Sequence, residues 1–189
     1  MTADDSWITF FTLLTVGANF ATLALWSLAL FAVVGPARTL WARVRDSLGE
    51  SGLQIAAVVA VTAMAGSLYL SEGAHFTPCL LCWYQRAAMY PLAVILVVAL
   101  ARRDWGVRPY ALALALVGPV ISLYHYAIER NPDLEIGGSD TCAAYGPPCT
   151  AKWIDDQFGY ISIPFMALSA FVLVATILAA ARPSRSEKS

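Results

Sequence analysis

Five long apolar runs, at residues 7–34, 53–70, 78–101, 110–128 and 161–181, constrain this chain more than any other feature. About 20 residues of helix cross the hydrocarbon core of a bilayer, so each run reaches spanning length. The 189 residues are 59% hydrophobic and 13% charged, against about 25% charged in a soluble domain. That apolar surplus cannot be hidden in a soluble core of this size. The expected fold is an all-α polytopic membrane protein, one compact bundle of five transmembrane helices. No internal repeat, strongly basic stretch or nucleic-acid motif is present, and a net charge of −1 points to no polyanionic partner.

Basic residues orient the spans. Arg38, Arg43 and Arg45 follow the first run, Arg102, Arg103 and Arg108 the third, and Arg182, Arg185 and Lys188 the fifth. These nine of the chain's twelve basic residues fall on one side, with Arg86, Arg130 and Lys152 as exceptions. Positive residues favour the cytoplasm, so the N-terminus is expected outside, the C-terminus inside and all four cysteines at the outer face. A cleavable signal peptide is not expected, because Asp4 and Asp5 stand where a basic segment would be. Residues 36–50 are too polar to span. Leu40, Trp41, Val44 and Leu48 recur there at helical spacing, which suggests a short helix on the cytoplasmic membrane surface; a solvated linker is the alternative. A kink is expected at Pro119.

The chemistry concentrates in TPCLLCWYQRAAMY, residues 77–90. Thr77 can N-cap a helix with Pro78 in its first turn. Cys79 and Cys82 then lie near the helix start, where free N–H groups and the helix dipole favour a thiolate. Two small buried thiols with no reactivity are the plainer alternative. Arg86 follows Cys82 by four residues and shares its face. An arginine this deep in a span costs about 2.5–3.5 kcal/mol on insertion scales. It either snorkels to the headgroups or stabilises a thiolate or a reduced acceptor.

A second pair, Cys142 and Cys149, lies in CAAYGPPC within a long outer loop. Three readings stay open for it. It is a structural staple, worth roughly 2.5 kcal/mol for so short a loop, a mobile redox pair that visits the first, or part of a zinc site made by all four thiolates. Zinc sites of that type belong to small soluble modules, so no metal is expected. Clustered cysteines outside the cytoplasm suit disulfide chemistry. His125, in SLYHYAIE, either hydrogen-bonds an acceptor in the bundle or is an interfacial histidine between Tyr124 and Tyr126. Trp153, Phe158 and Tyr160 look interfacial.

The stretches PCLLCWYQRAAMYP, YHY and CAAYGPPCTAKWIDDQFGYISIPFMALSAF resemble the DsbB/BdbC family of disulfide bond formation proteins, closer to the BdbC branch. The resemblance covers about residues 54–181. It implies a DsbB-type four-helix bundle in a bacterial inner (plasma) membrane, with its site on the periplasmic or extracytoplasmic face. It also implies a quinone-dependent thiol oxidase that uses menaquinone or ubiquinone and re-oxidises a DsbA-like thioredoxin-fold partner. By the same resemblance Cys79 and Cys82 pass electrons to the quinone, Cys82 faces it, and Arg86 belongs to its site, with His125 as a further candidate. Cys142 would meet the soluble partner and Cys149 would exchange with the first pair. Residues 1–50 have no counterpart in the family core, so the resemblance implies a division into 1–50, one extra N-terminal transmembrane helix with a cytoplasmic surface segment, and 51–189, a four-helix redox domain; the 142–149 loop is short for the family. A membrane thiol enzyme similar to vitamin K epoxide reductase is one rival; a non-catalytic scaffold with structural disulfides is another.

Overall fold

Each apolar run becomes a helix in the computed structural model, which describes residues 3–135, 146–152, 154 and 158–181. The helices are α1 (Ala3–Val34), α2 (Arg38–Leu68), α3 (Leu80–Arg102), α4 (Arg108–Arg130) and α5 (Ile163–Ala180). All five are long and apolar enough to cross a membrane. A π turn, Tyr69–Gly73, extends α2, and a short 3₁₀ turn, Trp105–Val107, leads into α4.

Four of the helices close a ring. α2 packs on α3, α3 on α4, α4 on α5 and α5 back on α2. Small residues let the backbones approach, because lipid supplies no hydrophobic drive between helices and close packing must do so instead. Ala56 and Ala60 of α2 and Ala111 and Ala115 of α4 are completely buried. Phe171, Val174 and Leu178 of α5 fill the centre together with Leu92 and Leu96 of α3. The outside is apolar as well: Phe20, Val33 and Val120 are 70%, 76% and 69% exposed. Such a shell is stable against lipid rather than water.

α1 stands outside the ring, packed on α5 and α2, so the four-plus-one arrangement expected from the sequence is found. Two clamps hold it. Near its start, Trp7 stacks near Tyr69 with ring centroids 5.3 Å apart. Gly66 leaves room for Phe11 there, whose ring a Cβ would meet at 2.8 Å. Towards its other end, Trp26 Nε1 donates to Thr176 Oγ1 at 3.1 Å.

The arginines that flank the spans also cap helix ends. Arg45 Nε donates to the Ala180 carbonyl at 3.0 Å and Arg108 Nη2 to that of Ala179 at 2.9 Å. Both carbonyls belong to the last turn of α5, which has no intrahelical donor for them. Charge-assisted bonds to these groups tie the arginine-rich end of the bundle together.

Two local expectations differ from the structure. Residues 36–50 do not make a separate surface helix: α2 runs unbroken from Arg38 to Leu68 and crosses residue 50. Of the apolar stripe read as membrane-facing, Trp41 and Val44 pack against the core and Leu48 is buried in it, while Leu40 is exposed. α4 runs from Arg108 to Arg130 with Pro119 inside it. Glu129, read as the first loop residue, is buried inside α4 and accepts a short hydrogen bond from Ser162 Oγ. This bond joins the end of α4 to the start of α5.

Gly118 of α4 is the tightest contact in the ring. A Cβ there would lie 2.3 Å from the fully buried Phe171 ring, whereas one on Gly17 of α1 meets nothing within 4 Å. Gly118→Ala should destabilise the bundle by about 1–3 kcal/mol through overpacking. Gly17→Ala should not. Thermal unfolding of the two variants in detergent checks this difference.

Candidate functional site

α3 begins at the cysteine pair, two residues later than the sequence suggests. Cys79, not Thr77, is the N-cap, with extended backbone at φ −79° and ψ 174°. Its own sulfur accepts the Cys82 amide at 3.3 Å. A helix start in an apolar bundle needs acceptors for its free N–H groups, and a thiol sulfur supplies one here. The geometry brings the Cys79 and Cys82 sulfurs to 2.9 Å.

Cys149 arrives from the loop. It is 1% exposed and packs with Cys79, Leu81 and Ile128. Its side chain hydrogen-bonds that of Cys79. Gly146 lets this loop lie on the helix start: its φ is +149°, and a Cβ would come within 3.3 Å of the Pro78 carbonyl. Three of the four predicted cysteines are therefore gathered at one point. Cys142 lies outside the described residues, as does Trp153.

Cys79 sits just outside the spanning segment Leu80–Arg102. Its thiol is pushed up to about 12. The hydrogen bond with Cys149 acts to lower it, but the hydrogen bond with Cys82, burial and the charge of Cys82 outweigh that effect. Burial and the neighbouring thiol thus work against the helix start at Cys79.

His125 organises the polar side of this cluster. It is 4% exposed. Its Nε2 lies 3.1 Å from the Cys149 carbonyl and 3.6 Å from Cys79 Sγ, and its Nδ1 lies 3.1 Å from Gln85 Nε2. A carbonyl only accepts, so Nε2 carries the proton and donates to it. Nδ1 then accepts from the Gln85 amide. The imidazole is thus neutral and fixed in one tautomer, and it holds the Cys149 backbone against α3 and α4. The Cys79, Cys82 and His125 ligand atoms lie within 4.8 Å of one another.

Cys82 faces the other way, onto a cavity of about 560 Å³ lined also by Gln85, Arg86, Met89, Ser67 and Phe171. His125 does not line it. Arg86 Nη2 donates to the Ser67 carbonyl at 2.8 Å and Nε to Ser67 Oγ at 3.0 Å. Its guanidinium also lies 5.3 Å from the Trp83 ring centroid. These partners are neutral, so the arginine's charge is not cancelled by a carboxylate among the described residues. Ser67 stands just before the π turn, and such turns recur at functional sites. Arg86 is pinned across to α2 and lines the cavity beside Cys82.

Sequence reasoning missed Gln85, Ser67 and the Glu129–Ser162 pair. Gln85 precedes Arg86 in the same motif and was a visible polar residue in a span. Nothing local marks Ser67 or Ser162 as partners.

Residues 50–181 match the family model described as "Disulfide bond formation protein DsbB". The chain is 44% identical to "Disulfide bond formation protein C" of Bacillus subtilis over 130 residues, covering 69% of this chain and 91% of that protein. It is 47% identical over 118 residues to "Probable disulfide formation protein C" of Halalkalibacterium halodurans, covering 62% and 82% respectively. No solved structure matches significantly.

Replacing His125 with Leu leaves the Cys149 carbonyl and the Gln85 amide unpaired in a buried place, at a cost of about 1–3 kcal/mol. The loop should then open more often. Cys149 in the reduced protein should react with a membrane-impermeant maleimide roughly tenfold faster or more, as read by mass spectrometry of the labelled peptide.

Proposed function

The chain belongs to the DsbB family of disulfide bond formation proteins, and on that premise we propose that it re-oxidises an extracytoplasmic thioredoxin-fold dithiol protein and delivers the electrons to a membrane quinone. Family membership carries membrane thiol–disulfide oxidation; the partner, the acceptor and the compartment are this reading's own. The observation that carries it is the two-sided placement of the first cysteine pair. Cys79 touches Cys149 of the loop, while Cys82 lines the apolar cavity with Arg86.

Chemistry follows from that placement. A partner thiolate attacks Cys142 of the Cys142–Cys149 disulfide and releases Cys149. The partner's second thiol then breaks the mixed disulfide, so the partner leaves oxidised and the loop pair is reduced. Cys149 next attacks Cys79 of the Cys79–Cys82 disulfide and releases Cys82. Cys142 closes on Cys149 and frees Cys79, which leaves two thiols at the head of α3. Each exchange needs a thiolate within bonding reach of a disulfide sulfur, and the contact of Cys149 with Cys79 provides that reach.

The cavity fits a quinone in kind: its volume falls within the roughly 300–1,000 Å³ of small-molecule sites, and apolar walls carry few polar groups. A bound quinone would supply the sink for two electrons and two protons as the Cys79–Cys82 bond reforms. Arg86 would hold its positive charge where negative charge develops on the acceptor. Family membership suggests the inner membrane of a bacterium as the setting, and the distribution of arginines favours the cysteine end outward.

In liposomes, one quinol should form for each partner disulfide made. Arg86→Ala should raise the KM for quinone roughly tenfold or more with partner exchange intact, and Lys should rescue only in part because it lacks the planar fork. Cys149→Ala leaves the loop no disulfide for the partner thiolate to attack, so partner oxidation and quinol formation should both stop. Normal quinone turnover in Cys149→Ala would sink the relay.

A further inference from the structure

α1 lies outside the region the family model matches, yet it contributes to the same cavity. Eight of the thirty lining residues, from Phe10 to Ala21, come from α1, more than from any other helix. The clamps described above bracket this stretch. Trp7 and Phe11 fix one end against α2, and Trp26 fixes the other against α5. Between them, α1 presents small residues, Gly17, Ala18 and Ala21, to the cavity. A helix held at both ends but not filled in between keeps a space rather than collapsing onto its neighbours.

From this arrangement we infer that α1 is a wall of the acceptor site, closing to lipid the cavity that holds Cys82 and Arg86, and that Ala18 limits the bulk of the quinone admitted. The inference rests on the quinone reading given above and adds a specificity-determining element to it. α1 packs on α2 and α5, the two helices that supply most of the remaining wall. In a four-helix ring alone, this side would face the acyl chains. With α1 in place, Ala18 is half-buried and packs against the core, so a larger side chain there has the cavity as its nearest free volume. Leu23, by contrast, is 60% exposed and does not line the cavity.

The full-length protein with a fully substituted short-chain benzoquinone tests this. Ala18→Phe should raise the quinone KM tenfold or more while the rate of partner oxidation in a single turnover, without quinone, stays unchanged. Leu23→Phe should change neither. As a second measurement, Ala18→Cys in the oxidised protein should be shielded from an apolar maleimide by the quinone, and Leu23→Cys should not. Wild-type KM in Ala18→Phe together with no shielding of Ala18→Cys overturns the role of α1. Should Ala18→Phe fail to fold, shielding of Ala18→Cys alone decides. If wild-type protein reduces no quinone at all, the underlying reading fails instead, and the two failures are told apart by that control.

Discussion

The start of α3 must satisfy its free N–H groups inside an apolar bundle, and Cys79 does so with its own sulfur. That one bond, from the Cys82 amide to Cys79 Sγ, fixes much else. It makes Cys79 the cap and places Cys82 in the first turn. The two sulfurs therefore meet at the same level but face different surroundings. Cys79 looks to the loop, where Cys149 and His125 lie. Cys82 looks to the cavity. Had Thr77 been the cap, the helix would have begun two residues earlier and both thiols would have lain within its regular turns.

Burial makes the polar groups around this point expensive to leave unpaired, which gives the cluster its order. His125 has one tautomer because a carbonyl stands on one side and an amide donor on the other. Arg86 is held by two bonds to a single serine on the neighbouring helix. A carboxylate in Ser67's place would have neutralised the arginine and removed its field from the cavity. The neutral anchor fixes position while leaving the charge available, which suits electrostatic stabilisation of a reduced acceptor on the proposed reading.

What could be read from the sequence follows from which constraints are local. Spans were legible because apolar length is a property of contiguous residues. The Cys79–Cys82–Arg86 grouping was legible because one helix carries it. The continuity of α2 was not, since residues 36–50 have an amphipathic pattern that suits a surface helix as well as the end of a long one. Tertiary packing of Trp41, Val44 and Leu48 into the bundle chose between them. Partnerships across helices, such as Gln85 with His125, Arg86 with Ser67 and Glu129 with Ser162, are set by the order of the ring and leave no mark in local spacing. Cys149 was expected to visit the first pair from the family resemblance, and its buried contact with Cys79 is something spacing alone could not have placed.

The two sides of α3 also differ in how they exclude each other. A soluble dithiol protein needs a polar loop and a sulfur that can be reached. A lipid-soluble acceptor needs a dry, apolar space with a few directed charges. If both met at one sulfur, each would have to tolerate the other's solvent. On the proposed reading, splitting the contacts between Cys79 and Cys82 removes that conflict, because the pair would conduct reducing equivalents between the two environments through bonds rather than by diffusion. The cost is that the bundle must keep an unfilled volume beside a reactive thiol, and unfilled volume in a helical bundle forfeits packing contacts. A fifth helix clamped at both ends is one way to hold such a volume open without relying on the four-helix ring to leave a hole in its own core.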